Sequence, residues 1–99
     1  MALVIDPAKD EVRALRQAAQ WLGKEVIEIG CGDGRLTLRL ASLGPSHIEA
    51  LEPTPALIRA ARDYLPAPYA EKIHYHVGHA EKLKYPEGTF DIAVFSWVL

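Results

Sequence analysis

Short apolar runs alternate with helical apolar spacings along most of the chain. Runs rich in β-branched and aromatic residues predict four strands, at 25–29, 47–51, 73–77 and 90–98. Within 12–22, apolar residues recur three and four positions apart, which predicts a helix that begins at Pro7 with Asp6 as its N-cap. The same spacing recurs after the first and second predicted strands.

Helix boundary residues support the two internal helices. The first carries the apolar positions of 36–41 and ends at Gly44 and Pro45, a glycine cap followed by a proline. The second begins at Pro55 with Thr54 as its N-cap. Strands that alternate with helices predict right-handed βαβ units. We therefore expect an α/β, Rossmann-like, doubly wound parallel sheet with helices on both faces.

Length and composition limit the class of protein. The chain has 99 residues and a formal net charge of −2, with no block of like charges. These values predict one domain and no nucleic-acid surface. No signal peptide and no apolar run of the ~20 residues that a membrane span needs is visible. Cys31 is the only cysteine, so we expect a reducing, cytoplasmic location and no membrane partner.

A glycine turn follows the first predicted strand. Gly30, Gly32 and Gly34 alternate with larger residues before the next helix begins. Glycines let a ligand approach the backbone, and the helix N-terminus adds partial positive charge at the same place. The sequence therefore predicts a nucleotide-type ligand at the carboxyl end of this strand. A dinucleotide fingerprint would have glycine at position 35, where this chain has arginine, which disfavours an NAD-dependent oxidoreductase.

The segment from Glu28 to Gly34 resembles the E/D-x-G-x-G-x-G signature of class I S-adenosylmethionine-dependent methyltransferases, close to their small-molecule branch. The resemblance implies S-adenosylmethionine as cofactor, S-adenosylhomocysteine as product and a small-molecule methyl acceptor. It implies in-line attack by the acceptor on the sulfonium methyl group, promoted by holding the two reactants aligned. It also implies the strand order 3-2-1-4 for the four predicted strands.

The same resemblance assigns roles to individual residues. It implies that Glu28 holds the methionyl amino group and that Glu52, which ends the second strand, accepts hydrogen bonds from the ribose hydroxyls. Pro53 then packs against the adenine. At position 79 the family has an acid that holds the adenine amino group, and this chain has a histidine. The expected cofactor-binding set is Glu28, Gly30, Cys31, Gly32, Gly34, Glu52, Pro53, His79, Ala80 and Ser96.

Several alternatives remain open from the sequence. Glu28 pairs either with the ligand ammonium or with Arg35 or Arg39. Glu81 either replaces the missing acid or faces water. No residue stands out as a general base, and Cys31 has no base beside it in sequence, so no catalytic residue is assigned.

His74 and His76 share a face of the third predicted strand, but the sequence places no third ligand beside them, so we expect no metal. Asp91, at the start of the last predicted strand, is expected to be structural.

The resemblance covers residues 24–98, which we expect to be the cofactor-binding core behind an N-terminal helix at 1–23 of one partial domain, 1–99. The family runs to seven strands, so the chain is expected to be either a fragment truncated after the fourth strand or a minimal binding half. A non-catalytic nucleotide-binding fragment is the alternative function. The last strand, apolar on both faces, would lie open at the sheet edge, so Phe90–Val98 is expected to cause self-association.

Overall fold

The computed structural model describes residues 1–5, 12–79, 85–86 and 88–96. These residues form one parallel sheet and three α-helices, with a 3-10 turn at Ala67–Tyr69. In chain order the elements are β1 Ala2–Ile5, α1 Val12–Ala18, β2 Glu25–Ile29, α2 Arg35–Ala41, β3 His47–Glu52, α3 Pro55–Asp63, β4 Ile73–Val77 and β5 Ile92–Ser96. None of the helices in this part of the chain has the length and apolar character needed to cross a membrane.

The sheet has the order β1-β5-β2-β3-β4. The predicted order 3-2-1-4 differs from it, because the sequence analysis missed β1 and assigned residues 1–23 to a helix. The four strands that it did identify are neighbours in the order β4-β3-β2-β5. The expected helix start at Asp6 and Pro7 lies outside the described residues.

The N-terminal strand covers the edge of β5. Ala2 pairs with Ala93 and Val4 with Phe95 in a parallel register. Since β2 pairs with the other side, β5 lies inside the sheet. The expectation of an open edge at Phe90–Val98 is therefore wrong for the described part of that segment, and β1 and β4 form the two edges.

The three described helices pack on one face of the sheet. Each adds buried apolar side chains to a single core, with Leu15 from α1, Leu40 from α2 and Ile58 from α3. The strand residues of this core share that face: Val26, Ile48, Ala50, Ile73, Tyr75, Ile92 and Val94. Right-handed connections that run in the same direction across the sheet place their helices on the same face. All the connections up to β4 run in one direction, and only the connection from β4 back to β5 runs in the other. The prediction of helices on both faces is therefore not met within the described residues.

The end of α1 differs from the predicted pattern. The helix stops at Ala18, so Leu22 no longer follows the helical phase and is 83% exposed. Trp21 turns into the core instead, and its Nε1 donates to the Leu15 carbonyl oxygen at 2.7 Å. The indole therefore replaces the predicted leucine in the core.

Candidate functional site

The strands that follow β2 in the chain lie on both sides of it, so the strand order reverses between the neighbours β2 and β5. The helices α2 and α3 carry the chain from β2 to β3 and on to β4, and the next connection returns to β5 on the other side of β2. In open parallel sheets, ligands bind outside the carboxyl ends of the strands at such a reversal. The glycine loop, residues 30–34, leaves β2 at that position.

The loop is tied to the end of β3 before it reaches α2. The backbone N–H groups of Gly30 and Cys31 both donate to the Leu51 carbonyl oxygen, at 2.8 and 3.0 Å. The Gly34 N–H then donates to the Cys31 carbonyl oxygen at 3.1 Å, which closes a tight turn. These bonds fix the loop above the ends of two neighbouring strands.

Two glycines in the loop are required for different reasons. Gly34 has φ +90°, and a Cβ there would lie 2.5 Å from the Tyr75 hydroxyl, so a side chain could fit only if Tyr75 shifted. Gly32 also has positive φ, at +58°, but a Cβ there would meet nothing within 4 Å. Open space therefore lies above Gly32, where a ligand can approach the backbone.

Glu52 joins the glycine loop to the start of α3. Its Oε1 accepts from the Gly32 N–H at 3.1 Å, and its Oε2 accepts from the Thr54 N–H at 3.0 Å. The residue is only 5% exposed. A carboxylate has about four acceptor positions, so these two bonds leave Glu52 able to accept further hydrogen bonds.

Glu28 lies buried beneath the loop and carries a perturbed carboxyl group. It accepts hydrogen bonds from the hydroxyls of Thr37, on α2, and Ser96, the latter at 2.6 Å. Burial raises the pKa of Glu28, and the two hydroxyl bonds offset part of that rise. Arg35, one of the cations considered as its partner, instead pairs with Asp33 at 3.1 Å.

The loop cysteine has no activated thiol. Burial raises the pKa of Cys31, and the charges of Glu28 and Glu52 raise it further. Beneath the loop, burial also raises the pKa of Tyr75 to about 12. Thiolate nucleophiles need a lowered pKa, so Cys31 lacks the surroundings of such a nucleophile.

The remaining predicted residues lie at the same edge or outside the described chain. Pro53 is exposed directly after Glu52, and the Gly78 N–H donates to the Glu52 carbonyl oxygen at 3.1 Å. This bond brings the exposed His79 to the carboxyl ends of the strands, where the glycine loop lies. Ala80 lies outside the described residues, as does Glu81.

Asp91 lies at the amino ends of the strands, opposite the carboxyl ends that carry the glycine loop. Its Oδ2 accepts from the Glu25 N–H at 2.9 Å, which fits its expected structural role.

The structure thus brings Glu28 to Ser96 and Gly32 to Glu52, across strands that are distant in sequence. Sequence reasoning missed Thr37 and Tyr75, which support the loop from below. Thr37 shares the buried face of α2 with Leu40 and Ala41. A hydroxyl on an apolar helix face, near a carboxylate that needs a partner, was the available signal.

A family model described as a methyltransferase domain matches residues 26–99. The magnesium-protoporphyrin O-methyltransferase of Rhodobacter capsulatus is 36% identical over 73 residues, which are 71% of this chain and 32% of that protein.

Solved structures show the same fold. An S-adenosylmethionine-dependent methyltransferase from Mesorhizobium loti has a TM-score of 0.73 at 23% identity, covering 89% of this chain and 40% of that chain. Phosphoethanolamine N-methyltransferase 1 of Haemonchus contortus, in complex with phosphoethanolamine and S-adenosylhomocysteine, has a TM-score of 0.71 at 24% identity, covering 85% of this chain and 17% of that chain. The chain spans less than half of each of these relatives. It belongs to the family of class I S-adenosylmethionine-dependent methyltransferase domains.

Proposed function

We propose that this chain binds S-adenosylmethionine at the glycine loop and takes part in methyl transfer to a small-molecule acceptor. The observation that carries the proposal is the Glu52 carboxylate, held 3.1 Å from the Gly32 N–H below open space. A backbone free of side chains beside a carboxylate with spare acceptor positions suits a ligand that contains a ribose. Family membership supports the choice of S-adenosylmethionine over other adenosine compounds.

The residues of this chain would bind and orient the cofactor. Glu52 accepts hydrogen bonds from the ribose hydroxyls, Gly32 lets the ligand lie against the loop, and Pro53 packs against the adenine. His79 replaces the family's acid near the adenine amino group, where a neutral imidazole accepts one hydrogen bond. Bound S-adenosylmethionine supplies a methyl group on a cationic sulfonium. The contribution of the protein is to fix its position relative to the acceptor.

Glu28 has a supporting role in this proposal. Its carboxyl group is fully buried and bonded to Ser96 and Thr37. It therefore holds the end of β5 and the first turn of α2 beneath the loop. Because this carboxyl group is fully buried, a direct bond to the methionyl ammonium would require the carboxyl group or the loop to move.

The small-molecule acceptor is proposed on two grounds. The net charge of −2 argues against a polyanionic acceptor. The relative with 36% identity is, by name, a methyltransferase of magnesium-protoporphyrin, a small molecule.

Calorimetric titration of the purified chain tests the cofactor. We expect saturable binding of S-adenosylhomocysteine and no binding of NAD. Glu52→Ala should weaken binding by about 1.5–3 kcal/mol, the scale of lost hydrogen bonds to a charged group. Glu71→Ala, which removes an exposed carboxylate beside the start of β4, is the matched control and should bind as the wild type does.

His79→Asp tests the adenine contact in the same assay. It restores the acid of the family and should hold or improve the affinity. Unchanged binding in Glu52→Ala would remove Glu52 from the site, and binding of NAD alone would contradict the proposed cofactor. A clear loss in His79→Asp would place His79 elsewhere.

A further inference from the structure

A cluster of three histidines around one glutamate lies on the face of the sheet opposite the helices. We name it the imidazole cluster, and its members are His47, Glu49, His74 and His76. His47 Nε2 lies 2.6 Å from Glu49 Oε1, and His74 Nδ1 lies 3.5 Å from the same oxygen. His76 Nε2 lies 2.7 Å from Glu49 Oε2. Four groups that commonly ligate metals thus share one small surface.

Strand register creates the cluster. Glu49 on β3 pairs directly with His74 on β4, so their side chains point to the same side. His47 and His76 lie two residues along their own strands and share this side. The side chains of His74 and His76 are each 48% exposed, so an ion can reach them from solvent.

We infer that the imidazole cluster binds a divalent transition metal ion, with zinc as the best fit. The donor atoms of His47, Glu49 and His74 all lie within 4.8 Å of one another, so small side-chain rotations can bring them around one ion. Imidazole nitrogens favour zinc and its neighbours over calcium or magnesium, which prefer oxygen ligands. Three protein ligands and one water complete a tetrahedral zinc site.

Glu49 is held in place from both of its oxygens. His76 contacts Oε2, while His47 and His74 face Oε1. His76 is the member of the cluster outside the three ligands. Such outer partners orient a ligating carboxylate and strengthen metal binding. His76 is therefore a positioning residue in this proposal.

The proposed site is separate from the glycine loop. His47 begins β3 and Glu49 lies in its middle, whereas Glu52 ends it at the ligand edge. An ion here would join the edge strand β4 to β3. It would therefore act on stability, because a ligand that binds only the folded state stabilises that state.

Titration of zinc into metal-free protein without a polyhistidine tag, against a chromophoric chelator, measures the affinity. We expect one ion per chain and a rise in the melting temperature of about 4 °C or more at saturating zinc. Cobalt, used as a spectroscopic probe, should give the intense visible bands of a tetrahedral site. His74→Asn and Glu49→Gln should each lower zinc affinity about 100-fold or more, and His76→Asn about 10-fold.

His79→Asn is the matched control, since it removes the fourth histidine of the chain, which lies outside the cluster. It should leave zinc affinity unchanged. Circular dichroism without metal identifies any variant that fails to fold, and the exposed His74 and His76 are the safest positions in this respect. The proposal is overturned if zinc does not saturate at one ion per chain. It is also overturned if His74→Asn binds as tightly as the wild type, or if His79→Asn loses as much affinity.

Discussion

Replacing the buried Glu28 with glutamine is expected to change how stability depends on pH. Burial raises the pKa of Glu28 in the folded chain above its ordinary value of 4.5. Between these two values the folded state binds more protons than the unfolded state, so the stability of the wild type falls as pH rises through that window. Glutamine keeps the size and hydrogen-bonding oxygen of the side chain but does not titrate.

The magnitude follows from proton linkage. The free energy of unfolding of Glu28→Gln, minus that of the wild type, should grow by up to about 1.4 kcal/mol per pH unit above pH 4.5. It should level off above the folded-state pKa. Below pH 4.5 both side chains are neutral, and the difference reduces to that between an amide and a carboxylic acid beside Thr37 and Ser96.

Urea unfolding of both chains at several pH values, from about 4.5 to about 8, measures this difference. Glu71→Gln, at an exposed carboxylate, corrects for the general effect of removing one negative charge. A difference that stays constant or shrinks with rising pH would refute the reasoning. Such a result would mean that the hydroxyls of Thr37 and Ser96 favour the ionised carboxylate by more than burial disfavours it.

Three further predictions use the same purified protein. Gly34→Ala should lower the free energy of unfolding in urea by about 1–3 kcal/mol, since its φ is +90° and Tyr75 fills the space. Gly23→Ala, with φ +72° in open space, is the control and should lower it by less. Equal losses in the two variants would contradict this explanation. The buried Cys31 thiol should react with a disulfide reagent at pH 8 only as fast as the chain unfolds, so rapid labelling of the native protein would contradict its burial. Leu3→Pro should release β1 from β5 and increase self-association in sedimentation, and a monomer with an unchanged melting temperature would show that β1 does not protect that edge.

The glycine loop and four strands could be predicted from sequence because their signals are local. A branched apolar run followed by alternating glycines indicates a strand and a turn without any knowledge of distant partners. The short β1 could not be found in this way. Its residues, 2–5, carry no turn signal of their own, and the Asp6-Pro7 pair directly after them suggested only a helix start.

The contacts that build both sites depend on pairing between strands. His74 and His76 were visible as a pair on one strand, but their proximity to Glu49 follows from the register of β4 against β3. Likewise, the need of Glu28 for a partner was apparent, while Thr37 and Ser96 reach it from elements nine and 68 residues away. The spacing of residues along one strand or helix does not predict distances between side chains on different elements.

The two hydrogen bonds of Glu52 make the glycine loop preorganised. One side chain fixes Gly32 and Thr54 at once, so the loop loses its conformational entropy when the chain folds rather than when a ligand arrives. Aspartate is shorter by one methylene group and cannot hold both backbone groups at these distances. Substitution by aspartate would therefore keep the charge, but the loop would then lose its conformational entropy on ligand binding and the affinity would fall. The length of this side chain is thus as important as its acidity.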